Sequence, residues 1–227
     1  MIKDLPSYIS LIFELIVVVS IIWFAFTAKS RMFVIIIITW TIIQTILGLS
    51  GIYQDTTALP PRIFLLGVFP AIVTIVITFL SAKGKMFIDN INLRTLTYFN
   101  SIRILVEIVL LLLYKNGLVP VYMTFEGTNF DLFSGVTASL VAYFAFRSPV
   151  VNKKLLLGWN ILCLLLLLNV VITAILATPS PLQKISFEQP NAAILYFPFN
   201  LLPAVVVPLV LFGHLVAIRQ LTTKTKS

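Results

Sequence analysis

The chain alternates long apolar stretches with short polar ones, and the apolar stretches are continuous rather than striped. Ile16 to Phe26 is broken only by Ser20, and Phe33 to Ile38, Ile108 to Leu113 and Ile161 to Leu168 are unbroken. A helix rising 1.5 Å per residue needs roughly 20 residues to cross about 30 Å of hydrocarbon. Seven segments meet or approach that length: Tyr8 to Thr27, Met32 to Ser50, Ile63 to Ser81, Leu96 to Tyr114, Asp131 to Phe146, Leu155 to Ala177 and Asn200 to Ile218. The fifth is the shortest and fits a tilted or partly buried helix. A barrel strand would alternate in polarity and end after about 10 residues, so strands do not fit. The pattern predicts an all-α, polytopic membrane helix bundle of seven transmembrane helices. No polar block is long enough for an extramembrane domain, so residues 1–227 read as one transmembrane domain.

Composition agrees. Apolar residues make up 59% and charged ones 11%, with a mean hydropathy of +1.07, against about 45–50% and 25% in soluble domains. The lipid bilayer is therefore the first expected partner. A net charge of +8 would suggest nucleic acid in a soluble chain, but these basic residues cluster beside apolar segments, where membrane orientation explains them and no nucleic acid is needed. The first apolar segment exceeds a signal-peptide core of about 7–15 residues and carries Glu14, so it reads as a retained helix. Cys163 is the only cysteine, which leaves no intrachain disulfide and no thiolate metal cluster.

Lysine and arginine then set an expected orientation, because cytoplasmic loops are enriched in them. One side takes Lys29, Arg31, Lys83, Lys85, Arg94, Arg147, Lys153, Lys154, Arg219, Lys224 and Lys226, and the other takes Lys3, Arg62, Lys115 and Lys184. The N-terminus is expected outside and the C-terminus in the cytoplasm, with the cell inner membrane as location. Lys83 to Thr95 mixes apolar and basic residues as a surface-lying segment would. Lys115 to Phe130 and the proline-rich Thr178 to Phe199 are apolar enough to fold back onto the helices. Pro70-Ala71-Ile72-Val73 echoes Pro203-Ala204-Val205-Val206, and the outer triplets of helices share an orientation. That plan, three helices, one, then three, is also that of the SWEET-type sugar carriers. Their Pro-Gln signatures are absent, so their function is not carried over.

Ionisable groups in hydrocarbon cost about 2.5–3.5 kcal/mol on insertion scales and normally have a partner or a task. Asn100, Arg103 and Glu107 share one face of the fourth helix, where Arg103 and Glu107 can pair at i,i+4. That pair reads either as a structural tie or as a clamp for carboxylate or phosphate built on the guanidinium fork. Glu14 has no basic residue in helical reach, which suits either proton coupling or a hydrogen bond to Gln44 or Asn200. His214 is the only histidine, fit for a structural hydrogen bond or for gating and proton transfer. Pro70, Pro203 and Pro208 permit kinks, and Gly135, Ala138, Ser139 and Ala142 form a small-residue face for close packing. By depth, Glu14, Gln44, Glu107, Glu126, Asp131, Asn169 and Asn200 fall in the outer half, which suggests an outward-opening polar cavity for a small-molecule ligand, closed by the Phe125 to Asp131 loop.

Several chemistries fall away. Gly48-Leu49-Ser50-Gly51 matches a short rhomboid-protease pattern, but Ser50 is expected at the outer end of the second helix and His214 near the cytoplasmic end of the seventh. No paired acidic motif, multi-histidine set or metal-ligating cluster is present, no cofactor is implied, and an enzyme is disfavoured. The last helix has no lysine for a retinal Schiff base. At Met123 to Ala138 (MTFEGTNFDLFSGVTA) and Phe199 to Leu215 (FNLLPAVVVPLVLFGHL) the chain resembles uncharacterised multi-helix membrane proteins of bacteria, Bacteroidetes in particular. The resemblance implies an inner-membrane bacterial origin and carries no activity. The expectation is a small-molecule permease or ligand-binding sensor, or else a membrane scaffold that holds partner proteins.

Overall fold

The structure, a computed structural model, describes residue 2 and residues 5–223. Lys3, Asp4, Lys224 and Lys226 lie outside the described residues. The elements in order are α1 (Ser7–Ala28), α2 (Arg31–Leu49), α3 (Phe69–Leu80), α4 (Ala82–Asp89), α5 (Leu93–Phe99), α6 (Ile102–Lys115), α7 (Asp131–Phe146), α8 (Lys153–Ala177) and α9 (Val207–Thr222). One π-turn, Phe64–Val68, leads into α3, and another, Leu202–Val206, leads into α9. Among the described residues there is no strand.

Five helices are long and apolar enough to cross a membrane: α1, α2, the continuous Leu93–Lys115, α8 and Leu202–Thr222. A sixth is reached if Phe64–Leu80 and α4, bent from one another by 89°, count as one span. The apolar α7, at 16 residues, is shorter than these. The bend before α4 is encoded locally. Ser81 is extended, its hydroxyl accepts from the Gly84 amide at 3.1 Å, and a Cβ on Gly84 would collide with the Thr78 carbonyl. α4 is thereby turned across the end of α3.

Long-range hydrogen bonds define the two ends of the bundle. At the Lys29 end, the Asn92 amide donates to Thr27 and Gln220 Nε2 donates to the Ile88 and Ile91 carbonyls. At the opposite, Asn191 end, the Ala192 and Ala193 amides donate to Leu118, the Asn191 amide donates to Ala177, and Gln189 Nε2 donates to Tyr114 and Val119. Both apolar loops therefore fold back: Val119, Met123, Ala193 and Leu195 are buried. Leu202–Thr222 and Leu93–Lys115 are central and mostly buried, whereas α2 is mostly exposed.

Prolines explain how so exposed a helix as α2 is held. Pro70 and Pro208 have no N–H to give to Leu66 and Ala204, four residues back. Two side chains of α2, four apart on one face, replace them: Gln44 Nε2 donates to the Leu66 carbonyl at 2.9 Å and Trp40 Nε1 to the Ala204 carbonyl at 2.8 Å. Re-satisfying freed backbone groups in this way is what permits proline inside a membrane helix. The two π-turns pack closely, with the Ala204 methyl only 3.3 Å from where a Gly67 Cβ would stand. The structural counterpart of Pro70 is thus Pro208, two residues past its own π-turn, rather than Pro203 as the four-residue echo suggested. Trp40→Phe should leave the Ala204 carbonyl unpartnered and cost about 1–3 kcal/mol, and Gln44→Leu, which strands the Tyr53 hydroxyl together with the Leu66 carbonyl, should cost more. Unfolding in mixed micelles checks this, with the exposed Ile46→Leu as an unchanged control.

Candidate functional site

A connected set of buried polar side chains crosses the bundle around Arg103. Its assembly begins with Gly135 on α7, where a Cβ would lie 2.9 Å from the Ile104 backbone nitrogen and 2.8 Å from its side chain. That close approach sets the start of α7 against α6. Asp131 then meets Arg103 as a two-pronged pair: Arg103 Nε donates to Asp131 Oδ2 at 2.6 Å and Nη2 to Oδ1. The planar fork of arginine matches a carboxylate in this geometry. Asp131 also sits in the first turn of its helix, where the dipole favours negative charge.

The third arm of the guanidinium completes the set. Arg103 Nη1 lies 3.0 Å from His214 Nε2, and His214 Nδ1 lies 2.9 Å from Asn160 Oδ1. An arginine can only donate, so Nε2 accepts and the imidazole is neutral with its proton on Nδ1, given to Asn160. Asn160 Nδ2 in turn donates to Leu156 within α8, and the Trp159 ring packs beside the imidazole with centroids 5.9 Å apart. On the other side of the ion pair, the Asp131 amide donates to Asn129 Oδ1, and Asn129 Nδ2 donates to Glu107 Oε1 at 2.7 Å and to the Met123 carbonyl. Arg103, Glu107, Asn129, Asp131, Asn160 and His214 are all buried.

The pairing of Arg103 with Glu107 expected from their spacing is not made. The two share a face, but the guanidinium is taken by Asp131 from the neighbouring helix, and Glu107 is held by Asn129 through one oxygen only. The fork is likewise not free to clamp a carboxylate or phosphate. Asn100, one turn before Arg103, bonds its own helix through Nδ2 to Leu96 and Thr97, while its Oδ1 has no partner. Gln44 and Asn200 belong to a second cluster. Asn200 Nδ2 donates to the Gln44 carbonyl, and Tyr53 OH donates to Gln44 Oε1 at 2.6 Å. Burial pushes the Tyr53 phenol up to about 12, with the Gln44 hydrogen bond opposing, so it stays a donor. The expected hydrogen bond from Glu14 to Gln44 or Asn200 is absent: these two bond each other, and half-buried Glu14 on α1 reaches neither. Glu126 is exposed on the loop surface, outside both clusters. Asn169 joins neither cluster and instead donates to Thr128 in that loop at 3.2 Å.

Beside the first cluster lies a cavity of about 90 Å³, bordered by Arg103, Glu107, Asp131 and Asn191 and otherwise by aliphatic side chains of α6, α8 and the α9 span, with Phe64 and Met123. Its wall is almost wholly apolar, but three buried polar atoms of the residues that border it have no partner: Glu107 Oε2, Asn191 Oδ1 and Asn191 Nδ2. Buried polar atoms are almost always hydrogen-bonded, so this group is an incomplete shell. Asn129, Asn160 and Asn191 were not singled out from the sequence. Each is one amide among many, two of them in loops, and only the fold brings them to the charged residues. Among the described residues no group of three His, Cys, Asp or Glu side chains could hold a metal ion.

An all-helical chain with at least five membrane-length apolar helices, folded around a buried Arg–Asp–His set, defines a polytopic membrane protein with a polar interior. The chain belongs to the family described as Domain of unknown function (DUF8737), whose model matches residues 60–222 and so takes in every residue of the Arg103 cluster. Comparison with curated proteins and with solved structures found no match.

Proposed function

We propose that this is a seven-span protein of the bacterial inner membrane, N-terminus outside and C-terminus cytoplasmic, that binds a small polar solute at Glu107 and Asn191 as a permease or ligand-binding sensor. In that orientation the Asn191 end faces outward. The observation that carries the reading is the cavity with three unpartnered polar atoms. A buried ionisable group within membrane helices is costly and points by default to a site or pathway, and Glu107 keeps one oxygen unsatisfied.

The charges select the solute. Arg103 is neutralised by Asp131 and His214 is neutral, so Glu107 is the one acid in the cluster without a cation. A solute of a few heavy atoms that carries N–H donors and positive charge completes the shell, with donors to Glu107 Oε2 and Asn191 Oδ1. Methylammonium is a suitable probe. At about 100 times its Kd it should stabilise the detergent-purified protein by about 2.7 kcal/mol, while sodium at equal ionic strength does not. Glu107→Gln and Asn191→Leu should each abolish the effect, and uptake of labelled methylammonium into proteoliposomes separates permease from sensor. No stabilisation of the parent protein, or stabilisation that survives Glu107→Gln, refutes the reading. The complete hydrogen bonding of Arg103 favours a second one, a membrane scaffold whose polar cluster only fixes helix positions; it predicts that the parent protein itself is not stabilised by methylammonium.

A further inference from the structure

A larger apolar groove of about 640 Å³ lies between α2 and α3, floored by α9 and crossed at the Lys29 end by α4. We propose that it holds one acyl chain of a single anionic phospholipid, with the phosphate at Lys83.

The length and wall of the groove fit a hydrocarbon chain. Along α2 it runs from Ser30 to Ile43, about 20 Å at 1.5 Å per residue, which exceeds the roughly 15 Å depth of one leaflet's hydrocarbon. The wall looks polar in sequence but offers few donors. The Thr74 and Thr78 hydroxyls donate back to Pro70 and Thr74, the Trp40 indole is spent on Ala204, and Ser30 and Ser81, whose oxygens cap α2 and α4, stand only at the Lys29 end. At the Lys29 end, stacked Phe33, Phe87 and Phe212 close the floor, with ring centroids 5.6 to 6.4 Å apart. A space of this size between membrane helices is filled by the surrounding solvent, and in a bilayer that solvent is lipid.

Charge at the mouth selects the headgroup. Lys83 borders the groove, is exposed and has no acid partner. Lys85 follows on α4, and Lys29 and Arg31 flank the start of α2, all exposed. The one acid on this segment, Asp89, is held by Arg219, with Nε to Oδ1 at 3.2 Å and Nη2 to Oδ2 at 3.3 Å. A phosphate at this level meets several cations and no free carboxylate. α4, turned by 89°, lies where headgroups would be, with Met86 67% exposed, as an interfacial helix does.

The test is native mass spectrometry of protein purified into nanodiscs of equal phosphatidylglycerol and phosphatidylcholine and then released from the bilayer. One retained phosphatidylglycerol per chain is expected, because boundary lipid without a seat is lost and shows no headgroup preference. Lys83→Gln should lower that preference about fivefold, as one lysine near an anionic lipid surface is worth. Filling the groove from either wall, by Ala71→Phe or Ile36→Trp, should remove the retained lipid without changing the thermal midpoint or the methylammonium response. The proposal is overturned if no lipid is retained, if both lipids are retained equally, or if both groove-filling variants still carry lipid. It is overturned equally if the protein proves a dimer that Ala71→Phe dissociates, which would assign the groove to a second copy of the chain.

Discussion

Asp131→Leu is expected to destabilise the protein by about 3–5 kcal/mol, the cost of leaving a buried guanidinium without its counter-charge. Arg103 is 2% exposed, and His214 Nε2, its other partner, supplies no charge. Arg103→Met should cost a similar amount by stranding Asp131, which would keep only the Asn129 contact at its amide. Combining the two should recover most of the loss, since an apolar pair of similar volume replaces a buried ion pair at little cost. Equilibrium unfolding in mixed micelles of the two single variants and the double variant measures the coupling. An additive double variant would mean that the two groups do not interact. The neutral His214 adds a related expectation: His214→Asn, which can still accept from Arg103, should be milder than His214→Leu.

Gly135→Ala is the second large effect. The added methyl group would lie 2.8 Å from Ile104 Cγ1 and 2.9 Å from the Ile104 nitrogen. Backbone cannot rotate away as a side chain can, so α6 and α7 must separate. Overpacking of this kind costs about 1–3 kcal/mol. The displacement acts one turn from Asp131, so the Arg103 pairing is loosened as well. The Gly135→Ala destabilisation should therefore shrink when measured in the Arg103→Met/Asp131→Leu background, a coupling that simple crowding would not produce. Gly158 on α8 has nothing within 4 Å of a built Cβ, so Gly158→Ala serves as the neutral control.

Hydrophobic runs made the helices legible because spacing along one chain is all that a membrane helix requires. The segment read as Leu96 to Tyr114 is a helix from Leu93 to Lys115 with a tightened turn at Asn100-Ser101, where i→i+3 bonds link Arg103 to Asn100 and Ile104 to Ser101. The mixed loop after Ser81 is the cross-lying α4. Partners were legible only where they lie on one helix face. Arg103 and Glu107 were rightly placed on the same side, but i,i+4 proximity says nothing about a carboxylate arriving from another helix, and Asp131 is the stronger partner because both its oxygens meet the Nε and Nη2 edge of the fork. Gly135 carried the needed hint, as a small residue that permits close approach, without saying which helix approaches. Gln44 was legible as a buried amide, whereas its tasks, supplying the hydrogen bond that Pro70 cannot and receiving one from Tyr53, depend on three separate segments meeting. Asn191 carried no signal at all in a loop rich in proline.

The most direct measurement of the central claim, a solute site in the cavity beside Glu107 and Asn191 that is reached from the outer face, is labelling of Asn191→Cys in a Cys163→Ala background. A small, membrane-impermeant methanethiosulfonate reagent is added to intact cells. The account predicts reaction from outside, and no reaction for Cys163 itself in the parent protein, where it is fully buried. Failure of Asn191→Cys to react in intact cells, with reaction appearing only in inside-out vesicles or after unfolding, would contradict it.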